Sequence, residues 1–458
     1  MRARIETILK FVAGCVISGT LLLVIFGAFR LYSFGYFYAD DFNNLALAQR
    51  YNITGLMRDN TRPAASTFRP AGAAAFWAMV RLADLQPMPY RIAGAALHAV
   101  NAFLLFLLLR FATQSSYAAA FGTLFFTFQV SFSSVFYSFA NIYEVLAGLW
   151  FLLGLLIYAR WGNTPAGLIA LPFIYFVACN SKEMAITLPC IWLLYDLLIR
   201  PNDQPLGRWA LSLMKRLAAP SLVGLWFLYV KAGMMHGTPP TDPYHMDFSP
   251  RALFQGYVWY ANAAYETKVP AGLWAGLAAV LGLLAVWRRW PWVLFFLLYT
   301  LITLLPVVFL VNHRGTLYWY IPAVGPCGLI ALFVAQLARS AARYPRAATV
   351  VGVIVFVLAA HWHYKTQVSL TQHERNWVRD LSNEYRSFIS GLRQIPQPGP
   401  NATIYFASIP RNLDAISVQS AVQLVFSRSD LTAEIVEMFP PQARYRARFE
   451  GGRVVFSR

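Results

Sequence analysis

Two carboxylates stand side by side in FYADDFNN, residues 37–44, directly after the first long apolar run of the chain. One Asp would serve there as an N-cap for the amphipathic stretch that follows, accepting from free backbone N–H groups and complementing the helix dipole. A second adjacent carboxylate adds repulsion where charge is already costly. Asp40 and Asp41 therefore read as a general base or as ligands for a divalent cation, with capping a secondary role for one of them. Asp41, nearer the helix that would aim it, is the first choice for the base.

Other candidates follow at intervals. In TRPAASTFRPAG, residues 61–72, Arg62 and Arg69 each precede a proline, which holds them in an extended approach. Their planar forks suit a phosphate, and the alternative is ordinary snorkelling at headgroup level. His98 and Asn101 lie within an apolar run, either bonded to a neighbouring helix or part of a site. Glu144 in NIYE and Lys182-Glu183 in SKE end apolar runs. The Lys and Glu form either a boundary pair or, through Lys182, a counter-charge for an anionic ligand. Arg314 precedes Tyr318, Trp319 and Tyr320; an aromatic belt accounts for the rings but not for the Arg. The segment 235–269 carries His236, Asp242, His245 and Asp247, whose spacing matches no strict metal site.

The elements that must position these residues are membrane spans. Of 458 residues, 58% are hydrophobic and 13% charged, with 35 Phe, 24 Tyr and 14 Trp, which excludes a soluble globular chain. The net charge of +18 is scattered between apolar runs, a positive-inside pattern rather than a nucleic-acid surface. Cys15, Cys179, Cys190 and Cys327 show no metal-like spacing and fall in or beside apolar segments, so they pack. About eleven runs are long enough to span: 11–31, 90–110, 117–138, 143–159, 164–180, 184–199, 217–234, 270–287, 290–311, 320–338 and 346–364. With a cytoplasmic N-terminus, the inner loops collect Arg110, Arg160, Arg200, Arg208, Lys215, Arg216, Arg288 and Arg339, and the outer side collects the acids. Residues 71–87 are read as an interfacial helix that Pro70 starts and Pro87 ends.

The expected fold is thus an all-α polytopic membrane protein with a small α/β C-terminal domain. The transmembrane part covers 1–364, with outer loops 32–89 and 235–269; 365–458 forms the soluble extracytoplasmic part, with a helix near 415–427 and a hairpin turning at Gly451-Gly452.

The Asp pair after the first span, then FRPAGAAAFWAMVRLADLQPMPYRIAGAALHAV, SKEMAITLP and RGTLYWYIPAVG, together resemble the GT-C superfamily of membrane glycosyltransferases. The motifs are most similar to the transmembrane O-mannosyltransferases that carry tetratricopeptide repeats, and more distantly to protein O-mannosyltransferases and the aminoarabinose transferases of lipid A. The likeness covers about 1–340; the repeats are absent, and 365–458 stands in their place. The resemblance implies a sugar carried on a polyprenyl or dolichyl phosphate and transfer on the extracytoplasmic side, with Asp40 and Asp41 supplying the base. It places Arg69 and Lys182 near the lipid phosphate and gives His98, Glu183, Arg314 and Tyr318 matching motif positions; read from the residues themselves, Arg62 and Arg314 are further phosphate candidates, and Glu144 joins His98, Glu183 and Tyr318 as a pocket residue.

The expectation is an inverting transfer to a hydroxyl of a protein, lipid or glycan, in the bacterial inner membrane, with the C-terminal domain periplasmic. The lipid-phosphate sugar is the donor; no cofactor is required, and a divalent cation on Asp40 and Asp41 stays open. The alternatives are an undecaprenyl-diphosphate-glycan polymerase or ligase and a non-enzymatic lipid or sugar transporter, the latter disfavoured by the lack of an internal repeat.

Overall fold

A computed structural model describes residues 2–61, 69–200, 204–235, 239–340 and 345–457. Arg62 and His236 lie outside the described residues. The chain begins with α1 (Arg2–Tyr32), α2 (Ala39–Arg50), α3 (Ile53–Thr61), α4 (Pro70–Ala83) and α5 (Pro87–Thr113). Then come α6 (Ser116–Thr127), which bends by 73° into a 3-10 segment at Val130–Phe136, and α7 (Ile142–Trp161). The next helices are α8 (Pro165–Cys179), α9 (Leu188–Leu198), α10 (Leu206–Met235), α11 (Pro250–Tyr265) and α12 (Ala271–Trp287). They lead to α13 (Pro291–Val308), α14 (Val324–Ser340), α15 (Pro345–Leu370) and α16 (Gln372–Leu392). The last elements are β1 (Thr403–Ser408), α17 (Ala415–Phe426), β2 (Thr432–Ile435), β3 (Tyr445–Glu450) and β4 (Arg453–Ser457).

Each expected span coincides with helix over most of its length. Among the described residues, six helices are long and apolar enough to cross a membrane, or seven if the bent pair after Ser116 counts as one span. Pro165–Cys179, Ala271–Trp287 and Val324–Ser340 are apolar but shorter. The chain is a multi-pass membrane protein.

Two local expectations are corrected. Pro87 does not end the helix of residues 71–87: α4 stops at Ala83, where Asp84 turns to a φ of 47°, and Pro87 is the first residue of α5. Proline suits a first helical turn, where its missing N–H has no partner to lose. Nor do Arg208, Lys215 and Arg216 lie in a loop, because the helix starts at Leu206. Arg216 is buried, with Nη2 2.6 Å from Asp196 Oδ2, and Arg200 Nε lies 3.1 Å from Asp196 Oδ1. A buried carboxylate inside an apolar helix needs such counter-charges.

The chain divides into two compact units. The first comprises Met1–Ala28, Ala96–Ser133 and Tyr143–Leu370. Its α14 packs on both α6 and α13, and the approach depends on small residues. A Cβ added at Gly328 would meet the Phe296 ring at 2.3 Å.

The second unit comprises Phe29–Ala95, Ser134–Ile142 and Thr371–Arg458, so the segment after the first span packs with the C-terminal part of the chain, α17 against α2. The sheet has the order β2-β1-β3-β4, with β1 parallel to β2 and β3, and β3 antiparallel to β4. Gly451 and Gly452, at φ 55° and 76°, make the expected hairpin turn. Helix α16 buries Val378, Leu381, Tyr385, Phe388 and Leu392, a helical stripe. Phe388 sits 5.8 Å from the Phe406 ring on β1 and 6.0 Å from Phe449 on β3. Asp414 caps α17 by accepting from Ser417 N at 2.7 Å.

Candidate active site

Asp40 and Asp41 occupy the first turn of α2, yet their environments are opposite. Asp41 is fully enclosed: its Oδ2 accepts from Tyr38 N at 2.9 Å, and its Oδ1 from Ala140 N at 2.6 Å and Ser138 Oγ at 3.4 Å. The bond back to Tyr38 is one half of a capping box, and the other bonds clamp the 138–140 turn onto α2. Arg91 Nη2 lies 3.9 Å from Asp41 Oδ2 and donates to the Tyr36 carbonyl at 2.5 Å. Burial pushes the Asp41 carboxyl above the ordinary range; Arg91 and the backbone N–H groups of Tyr38, Ala140 and Phe139 pull against it. Asp40 is exposed on the same turn.

An aromatic group flanks this turn. The Tyr38 ring lies 5.8 Å from Trp377, 6.1 Å from Tyr137 and 6.2 Å from Tyr385. Glu374 accepts from Tyr32 Oη at 2.8 Å and Tyr137 Oη at 3.0 Å. Burial first, then the charges of Asp40, Asp41 and Glu374, push the Tyr38 phenol up to about 12, so it keeps its proton at neutral pH. Arg69 holds the N-cap position of α4, ahead of Pro70.

In the first unit, the adjacent charges of SKE take different partners. Lys182 Nζ lies 2.6 Å from Glu144 Oε1 and 5.2 Å from the centre of the Tyr318 ring. Glu183 Oε1 accepts from Lys231 Nζ at 2.8 Å. Lys182 is the N-cap residue of a short 3-10 turn, Glu183–Thr187, in extended backbone that turns the two side chains apart. Arg314 precedes another such turn, Thr316–Trp319. A lysine paired to one carboxylate and lying against a ring retains donors for a phosphate oxygen.

His98 belongs to a separate buried network. Its Nε2 lies 3.0 Å from the Thr127 carbonyl, which can only accept, so Nε2 carries the hydrogen. Nδ1 therefore accepts from Tyr320 Oη at 2.8 Å, and Tyr320 Oη accepts from Asn101 Nδ2 at 2.9 Å. Both ring nitrogens are used, which is the bonded-to-neighbouring-helices reading.

Arg91, Glu374 and Lys231 did not emerge from sequence spacing. Arg91 and Lys231 carried a usable signal, a cation near the end of an apolar run. Glu374 lies in a polar helix among other charges and carried none. Among the described residues, no three His, Cys, Asp or Glu side chains group as metal ligands.

No protein-family model matches the sequence, and no curated protein matches it. Solved structures do. ArnT from Cupriavidus metallidurans bound to undecaprenyl phosphate aligns with a TM-score of 0.53 and 15% identity, over 93% of this chain and 86% of that one. ArnT in the apo state aligns with a TM-score of 0.51 and 14% identity, over 90% and 84%. The likeness is one of fold: this is a mostly helical polytopic membrane protein with a small C-terminal sheet, the fold class expected from the sequence. The particular fold it is similar to is that of ArnT.

Proposed function

We propose that the protein is an inverting membrane glycosyltransferase that moves a sugar from a polyprenyl-phosphate donor to a hydroxyl acceptor on the extracytoplasmic side. The observation that carries this reading is the fold shared, over 93% of the chain, with a protein whose structure holds undecaprenyl phosphate.

The chemistry needs few parts. A hydroxyl attacking an anomeric carbon gives up one proton, and a phosphate departs without a general acid, so one carboxylate and a set of cations suffice. We assign the proton to Asp40, because it is exposed, whereas Asp41 spends both oxygens on N–H and O–H donors. Asp41 becomes the residue that positions α2. Lys182, held by Glu144, is assigned to the developing phosphate charge, with Arg69 and Arg314 as further cations and Arg62 as a sequence-based candidate. Glu183, Tyr318 and His98 are assigned supporting roles. Arg110, Arg160 and Arg339, in the last turns of α5, α7 and α14, support an orientation with those ends cytoplasmic. By the same argument the C-terminal segment is periplasmic in a bacterial inner membrane, and the acceptor is a protein, lipid or glycan hydroxyl.

The test is transfer from a synthetic polyprenyl-phosphate sugar by the purified protein in detergent. Asp40→Asn is expected to lose transfer while still binding donor. Full transfer by Asp40→Asn overturns the assignment of the base; substrate flux in proteoliposomes without covalent transfer overturns the enzyme reading.

A further inference from the structure

An open groove of about 830 Å³ runs along the first unit, walled by α1, α5, α6, α14 and α15, with Gly14, Phe333 and Val351 among its exposed lining residues. Its walls are apolar, with Phe106, Phe121, Phe333 and Leu337 among them, and its volume falls in the usual range of ligand pockets, about 300–1,000 Å³. Small residues make the space: Ala13, Gly14 and Ser18 on α1 face Ala338 on α14 and Ala348 on α15. A Cβ added at Gly14 would meet nothing within 4 Å.

The groove is polarised along its length. Tyr117 Oη donates to the Gly352 carbonyl, and the Phe121 and Phe356 rings lie 5.3 Å apart, so α6 and α15 run in the same direction. Gly27 lies against the Tyr364 ring, and in a parallel pair that register brings Lys10 level with the first turn of α15. Three helices therefore start toward one end of the groove. Lys10 and Ser116, the first residue of α6, line that end, as do Ala348 and Thr349 near the start of α15. Arg339 stands in the last turn of α14, which reaches the same end. Helices α5 and α14 end there, which offsets the dipoles of the helices that start, and Ser115 already caps α6, so the charge that favours an anion comes from Lys10 and Arg339.

We propose that this groove is a binding site for an anionic membrane phospholipid, one acyl chain between α1, α14 and α15 and the phosphate at Lys10. Apolar walls exclude a water-filled role, and the charge at one end selects a lipid with a negative headgroup over a zwitterionic one. The groove is lined by residues of the first unit alone, whereas Asp40 and Asp41 belong to the second. The chain length from Lys10 to Ser18, about 12 Å, also suits a phospholipid chain better than a long polyprenyl chain.

The experiment is native mass spectrometry of the full chain, purified and then exposed to an equimolar mixture of phosphatidylglycerol and phosphatidylcholine with matched chains. The wild type is expected to retain one phosphatidylglycerol at about fivefold preference, the worth of one cation at an anionic headgroup. Lys10→Glu, at an exposed position, removes the preference, and Gly14→Phe, which fills the groove, lowers retention of both lipids. Equal retention of the two lipids by the wild type overturns the proposal without recourse to any variant. So does undiminished retention by Gly14→Phe, or displacement of the phospholipid by equimolar polyprenyl phosphate. The readout is lipid retention, so it stands or falls apart from transferase activity.

Discussion

Asp41 and Arg91 face each other at 3.9 Å with neither side chain reaching solvent, while Asp40, one residue earlier, is exposed. Arg91 Nε and Nη1 have no hydrogen-bond partner among the described residues, so Asp41 supplies the charge that keeps the guanidinium in place. Asp41→Ala is expected to lower stability by about 3–5 kcal/mol, the cost of leaving a buried charge uncompensated. Asp40→Asn is expected to leave the melting temperature in detergent unchanged and to abolish transfer. Thermal unfolding of the two variants side by side, paired with the transfer assay, checks the division of labour.

The contact between Lys182 and Glu144 has a different consequence. Lys182→Met strands a carboxylate whose side chain is 6% exposed, so it should destabilise more than the double variant Lys182→Met/Glu144→Gln. Glu144→Gln alone releases the ammonium from its 2.6 Å partner and is expected to lower the donor KM, whereas Lys182→Met raises it about tenfold. A KM that does not respond to either variant removes Lys182 from the phosphate site.

His98→Ala tests the opposite expectation, a structural His. It deletes the donor to the Thr127 carbonyl and the acceptor for Tyr320, at a cost of about 1–3 kcal/mol for each buried group left unsatisfied. The melting temperature should fall and the pH dependence of transfer should keep its shape. A changed acidic or basic limb would restore His98 to the chemistry.

Cation dependence can be approached through Asp41. Both of its oxygens already accept short bonds from Tyr38 and Ala140, and a metal ion would have to displace them. Transfer is accordingly expected to survive EDTA treatment and to gain nothing from added magnesium or manganese. Loss of activity on chelation, restored by a divalent cation, would contradict the capping geometry.

The parts of this architecture that were legible in the sequence are those set by local composition. Apolar runs mark spans because a helix must satisfy its own backbone in lipid, and the Gly451-Gly452 turn is announced by its residues. Adjacency made the Asp pair conspicuous, and cations before prolines drew attention to Arg69. What separates Asp40 from Asp41 was not legible, because the partners of Asp41 arrive from residues 138–140 and from Arg91, joined only by tertiary packing. The same holds for Glu183, whose partner Lys231 comes from α10. The start of α10 was obscured by its charges: Arg208, Lys215 and Arg216 look like a loop until Asp196 is seen to neutralise one of them.

The bend after α6 also bears on how the chain is made. At the break, the carbonyls of Thr127 and Phe128 accept from His98 and from His363 Nε2 at 2.8 Å, and the Val130 N–H is met by Gln367 Oε1 at 2.8 Å. Two of those three replacements belong to α15, which leaves the ribosome more than two hundred residues after the bend it completes. During synthesis the broken helix must therefore wait in the bilayer with bare polar groups, or inside the insertion machinery, until α15 arrives. A chain truncated before residue 345 should consequently insert its early helices poorly and be degraded, even though every one of the Asp, Lys and Arg residues assigned to chemistry would already have been synthesised.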